Sequence, residues 1–456
     1  MKIWKRIVSV LLILVMVAGG IYIGDKLTTR GVSQRKYVKF FEEKKDYDVI
    51  FYGSSHVLSG IQPMELWNNY GITSFNLGGH AASIGMSYWV LRQSLNYHKP
   101  KLAILDIYDM YAYDQPYMDI SFMHYSMDAY PMGVTKFMAV QDLLKGRSTA
   151  EKAELFFPFS VYHSRWDEVT EESAKAAFDT EIFNSNCGSE IRYGVAVPHE
   201  YERVDPEITM EGSEGADTYI RNFVSTCRDA GVEVCFIRVP YPACPENQMA
   251  ENRVMRLASE LGVRVIDLMR GAELDKMLDS KVINWNTDFV DANAHLNAVG
   301  AYKVTMYLGA LLKQYYGFTD KRENAEYSNW NEDFKHYYVP VISAEMAAQT
   351  DFKTLLMFAS YPEYETEMTV TKDYEPDEVS EMLYKLHGSR LKITEAESID
   401  QGIAQDRVNF DMDGEPMAPG VVITEHDVPV IRMTVKLRDN GEVVLDKVFC
   451  SSKGIS

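Results

Sequence analysis

The stretch YDVIFYGSSHVLSG, Tyr47 to Gly60, decides how the chain is read. A short apolar run, suited to a strand buried on both faces, stops at a glycine and opens at once into two serines and a histidine. Gly53 lets the backbone turn sharply, so Ser54 or Ser55 would project from the strand end. The bland reading is a polar turn or a helix cap. The pointed one is a hydroxyl nucleophile raised above the edge of a sheet.

Segments of the same kind recur along the chain. TSFNLGG (Thr73–Gly79), KLAILDIYD (Lys101–Asp109), VEVCFIRVP (Val232–Pro240) and VRVIDLM (Val263–Met269) read as buried strands. Between them the spacing predicts helices over Pro63–Tyr70, Ser83–Tyr97, Asp217–Ala230 and Pro245–Leu261, with a last one over Asn297–Tyr316. This alternation predicts an α/β fold, a parallel sheet between two helical layers, spanning residues 31–335. Ligands of such sheets sit beyond the carboxyl ends of the strands, where Gly53-Ser54-Ser55-His56 falls. From about 111 to 215 the alternation gives way to aromatic and Met-rich text, such as SFMHYSMDAYPMGV, predicting a helical insertion that packs over the sheet edge or covers the site. Residues 341–456 shift to period-two patterns, including TLLMFAS, EMTVTKD and VIRMTVKLRDNGEVVLDKVF, with a hairpin turn at Asp439-Asn440-Gly441. They predict a small β-rich accessory domain.

The amino terminus sets the compartment. Residues 7–24 hold no charged side chain and could nearly cross a hydrocarbon core of about 30 Å as a helix. Lys2, Lys5 and Arg6 precede them, which places the start in the cytoplasm and the bulk of the chain outside, with residues 1–30 as a single-pass anchor in the bilayer. A cleaved signal peptide is the competing reading, but no A-x-A site follows the small residues Ala18, Gly19 and Gly20. A formal charge of −20 over 456 residues argues against any nucleic-acid partner. The five cysteines lack metal-ligand spacing and leave room for one bridge involving Cys235 or Cys244, although Cys235 sits in a strand pattern that suits core. There is no Walker loop, dinucleotide fingerprint or metal-ligand cluster, so no cofactor is expected.

A hydroxyl nucleophile needs a base, a carboxylate to orient the base, and donors for the developing oxyanion. TDFVDANAHLNAVGAYKVT, Thr287 to Thr305, places His295 just before the last helix, with Asp288 and Asp291 shortly upstream. Such a loop at the sheet rim can present an imidazole to a serine on the first strand. His56 and His80 flank the proposed loops and are read as lining the crevice. His163, Arg165 and Trp166 could touch an anionic or sugar substrate or pair structurally. Arg238 is read as a buried ion pair.

Gly-x-Ser after the first strand, an Asn-Gly stretch after the second and an Asp/His pair before the last helix resemble the SGNH (GDSL-like) hydrolase superfamily. The resemblance implies Ser55 as nucleophile, with Ser54 in the usual aspartate position, and His295 as base. It implies an oxyanion hole formed by the N–H groups of Ser55, Gly78 and Gly79, with Tyr108 or Asp109 near the place of the family's asparagine. The family's acid stands three residues before the histidine, where this chain has Ala292; Asp291 is the nearest carboxylate and Asp288 the alternative. Ala81 stands where a later glycine is common. Anchored members of this kind modify envelope polymers beside a multi-pass membrane acyltransferase. The implied function is a serine esterase or O-acyltransferase acting on cell-envelope polysaccharide, with a non-catalytic envelope binding or assembly protein as the alternative.

Overall fold

In the computed structural model, residues 2–29, 37, 40–41, 43–108, 120–178, 186–269, 283–291, 295–372, 374–399, 407–410 and 428–451 are described. Five short strands, β1 (Val49–Tyr52), β2 (Ser74–Asn76), β3 (Leu102–Asp106), β4 (Glu233–Arg238) and β5 (Arg264–Asp267), form one sheet in the order β2-β1-β3-β4-β5. Every pairing in it is parallel. The serine-bearing strand is therefore interior, flanked by β2 and β3, whose ends contribute the neighbouring loops.

Successive side chains of these strands go to opposite faces. Val49, Phe51, Leu102, Ile104, Cys235 and Ile237 join one buried cluster, whereas Ile50, Tyr52, Ala103, Leu105, Val234 and Phe236 join another. α1 (Lys2–Thr29) precedes the sheet. α2 (Ser55–Gly60) and α3 (Pro63–Tyr70) follow β1 on the first face, and α4 (Ile84–Ser94) lies on the second. The insertion contributes α5 (Ile120–Met127), α6 (Val134–Leu143), α7 (Thr149–Glu154), α8 (Phe159–Tyr162) and α9 (Glu171–Phe178). α10 (Glu214–Asp229) and α11 (Pro245–Glu260) join α4 on the second face, and α12 (Ala298–Tyr316) completes the first. The result is the three-layer α/β arrangement that the strand alternation implies.

α1 is long and apolar enough to cross a membrane: Trp4–Thr28 qualify by length and composition. Cys235 is buried within β4, and Cys235 and Cys244 are both free thiols, so the bridge that either might have made is absent.

Past α12 the chain continues through α13 (Val339–Ala348) and α14 (Phe352–Ala359). TLLMFAS is thus helical and not a strand. Asp351 caps the helix by accepting from Thr354 N at 2.6 Å, and the apolar run buries all round instead of on alternate sides. A second sheet follows, β6 (Tyr364–Thr371), β7 (Leu391–Ala396), β8 (Arg407–Phe410), β9 (Val428–Leu437) and β10 (Val443–Ser451), in the order β7-β6-β9-β10-β8, with α15 (Glu378–His387) between β6 and β7. β9 and β10 pair antiparallel around the Asp439-Asn440-Gly441 turn, where Gly441 takes φ 74°. Tyr361, between α14 and β6, reaches back to the helices on the first sheet: Gln62 Nε2, at the start of α3, donates to its hydroxyl at 2.9 Å, and the hydroxyl donates to Ala298 O of α12 at 2.9 Å.

Candidate active site

The turn after β1 is built for tight passage. Gly53 has φ 142°, and a Cβ there would come within 2.6 Å of Asp106 Cβ, so both the conformation and the space require glycine. Ser54 then caps α2, its Oγ accepting from His56 N at 3.2 Å and donating to Asp106 Oδ2 at 3.4 Å. Ser54 is thereby occupied with structure. Asp106 is buried at the end of β3, and burial pushes its carboxyl up to about 7. Ser55, the first residue of α2, is half-buried and faces the crevice.

Ser55 Oγ lies 2.9 Å from His295 Nε2, and His295 Nδ1 lies 2.8 Å from Asp291 Oδ2. Both are hydrogen-bond distances in a single chain of contacts. The pairing requires a neutral imidazole whose Nδ1–H donates to Asp291 and whose bare Nε2 accepts from Ser55. Asp291 also accepts from His295 N at 3.3 Å, which fixes the backbone beside the ring. Two segments, 240 residues apart in sequence, converge here.

The carboxylate's spacing has a local cause. Phe289 and Leu296 form an antiparallel bridge, Val290 N donates to His295 O at 3.0 Å, and Asn297 N donates to Asp288 O at 2.9 Å. A small hairpin results, with Asp291 and His295 facing each other across its mouth. Ala292 lies outside the described residues. Asp288, the alternative acid, is turned away into the protein: its carboxylate takes Lys303 Nζ at 2.8 and 2.9 Å and accepts from Thr287 Oγ1 and Asn284 N, both at 2.8 Å. Asn297 holds the hairpin to α12. Its Oδ1 accepts from Val299 N and Gly300 N, while its Nδ2 donates to Gly194 O, Thr287 O and Phe289 O. The sequence marks Asn297 only as a helix entry; its second set of bonds goes to partners the sequence does not reveal.

In the loop after β2 the amides of the expected oxyanion donors already have partners. Gly78 N donates to Asn76 Oδ1 at 3.0 Å, and Gly79 N donates to Gly53 O at 3.0 Å, so each amide is committed within the fold. Asn76 turns its other side-chain atom to Val57 O and Ile61 O, clamping this loop onto α2. Beyond the glycines, Ala81 takes φ 46°, and its N–H, like that of Ser55, makes no hydrogen bond among the described residues. Tyr108 stacks on His56 with ring centroids 3.6 Å apart and meets Tyr241 edge-on. Asp109 lies outside the described residues.

Around the relay, His56 is buried 5.0 Å from the His295 ring, and His80 Nε2 pairs with Glu190 Oε1 at 2.8 Å. Arg192 has no motif to betray it. It arrives on the strap 186–196, which is tied to the hairpin by Ala196 N to Phe289 O and to α12 by Ala298 N to Arg192 O, each at 2.9 Å. Its Nη1 sits 3.9 Å from Asp291 Oδ2. Burial, then the Arg192 charge, hold His295 below the ordinary histidine value, with Asp291 opposing them. His56 is also held well below the ordinary histidine value, chiefly by burial and then by the neighbouring His295. Arg238 lies away from the relay in a buried ion pair with Glu251 and Asp267. His163, Arg165 and Trp166 lie on the insertion surface, His163 with Ser160 O and Arg165 with Glu168.

The arrangement can move a proton from a serine hydroxyl to a carboxylate-held imidazole. No family model matches the chain, and no curated protein matches it.

Proposed function

We propose that this chain is a membrane-anchored serine esterase or O-acyltransferase of the SGNH type, working outside the cytoplasmic membrane on an envelope polysaccharide. The observation that carries the reading is the continuous relay Ser55 Oγ–His295 Nε2 at 2.9 Å and His295 Nδ1–Asp291 Oδ2 at 2.8 Å. His295 takes the Ser55 proton as Oγ bonds to the acyl carbon, and Asp291 stabilises the imidazolium. The tetrahedral oxyanion is met by backbone N–H groups, for which Ser55 and Ala81 are the available donors in place of Gly78 and Gly79. Collapse breaks the ester bond, and His295 returns its proton to the departing oxygen. Water, or a sugar hydroxyl deprotonated by the same imidazole, then attacks the acyl-serine and restores Oγ–H. The substrate class and a multi-pass acyltransferase partner rest on the resemblance of the three sequence blocks, and the outward orientation on Lys2, Lys5 and Arg6 before α1.

One observation favours a second reading, an envelope binding or assembly protein that keeps the fold without the chemistry: both amides expected to hold the oxyanion are committed inside the protein. A fluorophosphonate probe separates the two. The enzyme reading expects a covalent adduct at Ser55 that disappears in Ser55→Ala, with ester turnover falling by at least about 10³-fold. An intact, folded chain that never labels would leave only the binding reading.

A further inference from the structure

The insertion helices carry an apolar surface that the fold leaves uncovered. Of the fifteen large apolar side chains exposed outside α1 among the described residues, nine belong to residues 120–178, so the exposure is concentrated there instead of scattered. Val134 is 77% exposed, Phe157 62% and Trp166 57%, and Met132, Phe137 and Phe178 are exposed as well. The stacked Phe137 and Phe156 rings, centroids 6.2 Å apart, bring α6 next to the Phe157 segment.

α1 fixes where this surface sits. Its side chains are open from Trp4 to Ile23, apart from the partly covered Val8, and burial begins at Gly24. Those residues span about 30 Å of helix, the thickness of a hydrocarbon core. Trp4 and Tyr22 stand at the two ends, where aromatic rings meet lipid headgroups. Gly24 packs on the Phe159 ring so closely that a Cβ would come within 2.8 Å of it. The start of α8 is thus level with the membrane boundary, and Phe157, Val161 and Trp166 flank that contact in the chain. Residues 120–178 hold six basic and eight acidic side chains, so attraction to anionic lipid is not the source of any affinity. Aromatic and aliphatic insertion is.

We infer that residues 120–178 form a second membrane contact, lying in the bilayer interface beside α1 with lipid covering the apolar face. The same module borders the candidate site. Gly79 approaches Ser126 of α5, where a Cβ on the glycine would meet Ser126 Oγ at 2.4 Å, and Tyr125 meets the His80 ring edge-on at 5.4 Å. Lipid contact would therefore hold one wall of the crevice at the membrane surface.

The inference rests on α1 being inserted, and the test separates the two. In the full chain carrying Cys244→Ser, which removes the one cysteine that is not buried, single labels are placed through Leu12→Cys in α1, Phe157→Cys, Trp166→Cys and, as a control on the second sheet, Val443→Cys. The chain is reconstituted into phosphatidylcholine–phosphatidylglycerol vesicles containing acyl-chain nitroxide lipid, and the emission of an environment-sensitive fluorophore is read at each position. Blue-shifted, quenched emission at Leu12, Phe157 and Trp166, with water-like emission at Val443, is the expected result. Quenching at Leu12 alone would overturn the second contact and leave the anchor standing. No quenching at Leu12 would overturn the anchor, and the second contact with it. Labels at Phe157 and Trp166 shielded in native membranes but water-like in pure lipid would overturn it in favour of a protein partner.

Discussion

Asp288 and Asp291 stand three positions apart, yet the fold gives them opposite work. Asp291 faces His295, whereas Asp288 neutralises Lys303 in the interior. Asp291→Asn removes the carboxylate that fixes the imidazole tautomer, and turnover of a simple ester should drop by about 10⁴-fold with little change in melting temperature. Asp288→Asn should do the reverse, costing about 3 kcal/mol in urea unfolding while folded protein still labels at Ser55. Equal activity losses from the two would undo the assignment. The lowered His295 keeps its base form to mildly acid pH, so the acid limb of kcat/KM is expected below about 6.5. Removing the Arg192 charge leaves Asp291 favouring the imidazolium, so Arg192→Ala should move that limb to higher pH and Arg192→Lys should largely keep it. An unmoved limb in Arg192→Ala would deny Arg192 this influence. Sequence offers the aspartates as a pair because both precede His295; the Phe289–Leu296 bridge selects one, and no composition signal in this short hairpin announces that bridge. Nor does sequence reveal that the Gly78 and Gly79 amides are held by Asn76 and by the Gly53 carbonyl.

Among the elements, those with strong end signals were readable. Pro63–Tyr70 begins at a proline and ends at Gly71 in the left-handed region, φ 66°, and the reading matches the helix end to end. The interior strands were equally plain, being short apolar runs between helices. TLLMFAS was not, since an apolar run of that length suits either state and the deciding bond comes from Asp351 just before it. α12 depends on its N-cap, Asn297. Asn297→Ala would remove a cap worth about 1 kcal/mol and deprive three carbonyls of a donor, a total of about 3 kcal/mol by chemical denaturation. Asn297→Asp keeps the cap without the Nδ2 donations, and its stability should fall between the two. Indistinguishable Ala and Asp variants would mean that the donations contribute nothing.

For the molecule entire, the plan of strands and the apolar leader were legible because both are written in local composition, whereas the strap bearing Arg192 was not, since nothing near it in sequence announces the hairpin it binds. The open flanks of α1 lead to a direct expectation: the chain should resist alkaline extraction from membranes, and a chain lacking residues 2–23 should be released. Full release of the intact chain by alkali would rule out a spanning helix. The position of Tyr361 carries a consequence of another kind. Its hydroxyl is lodged between Gln62, shortly after the serine, and Ala298, shortly after the histidine. A stop codon or a proteolytic nick that freed this phenol would slacken both flanks of the crevice at once, so the link between α14 and β6 would act as a buttress whose loss the proposed chemistry would feel without one reacting atom having been touched.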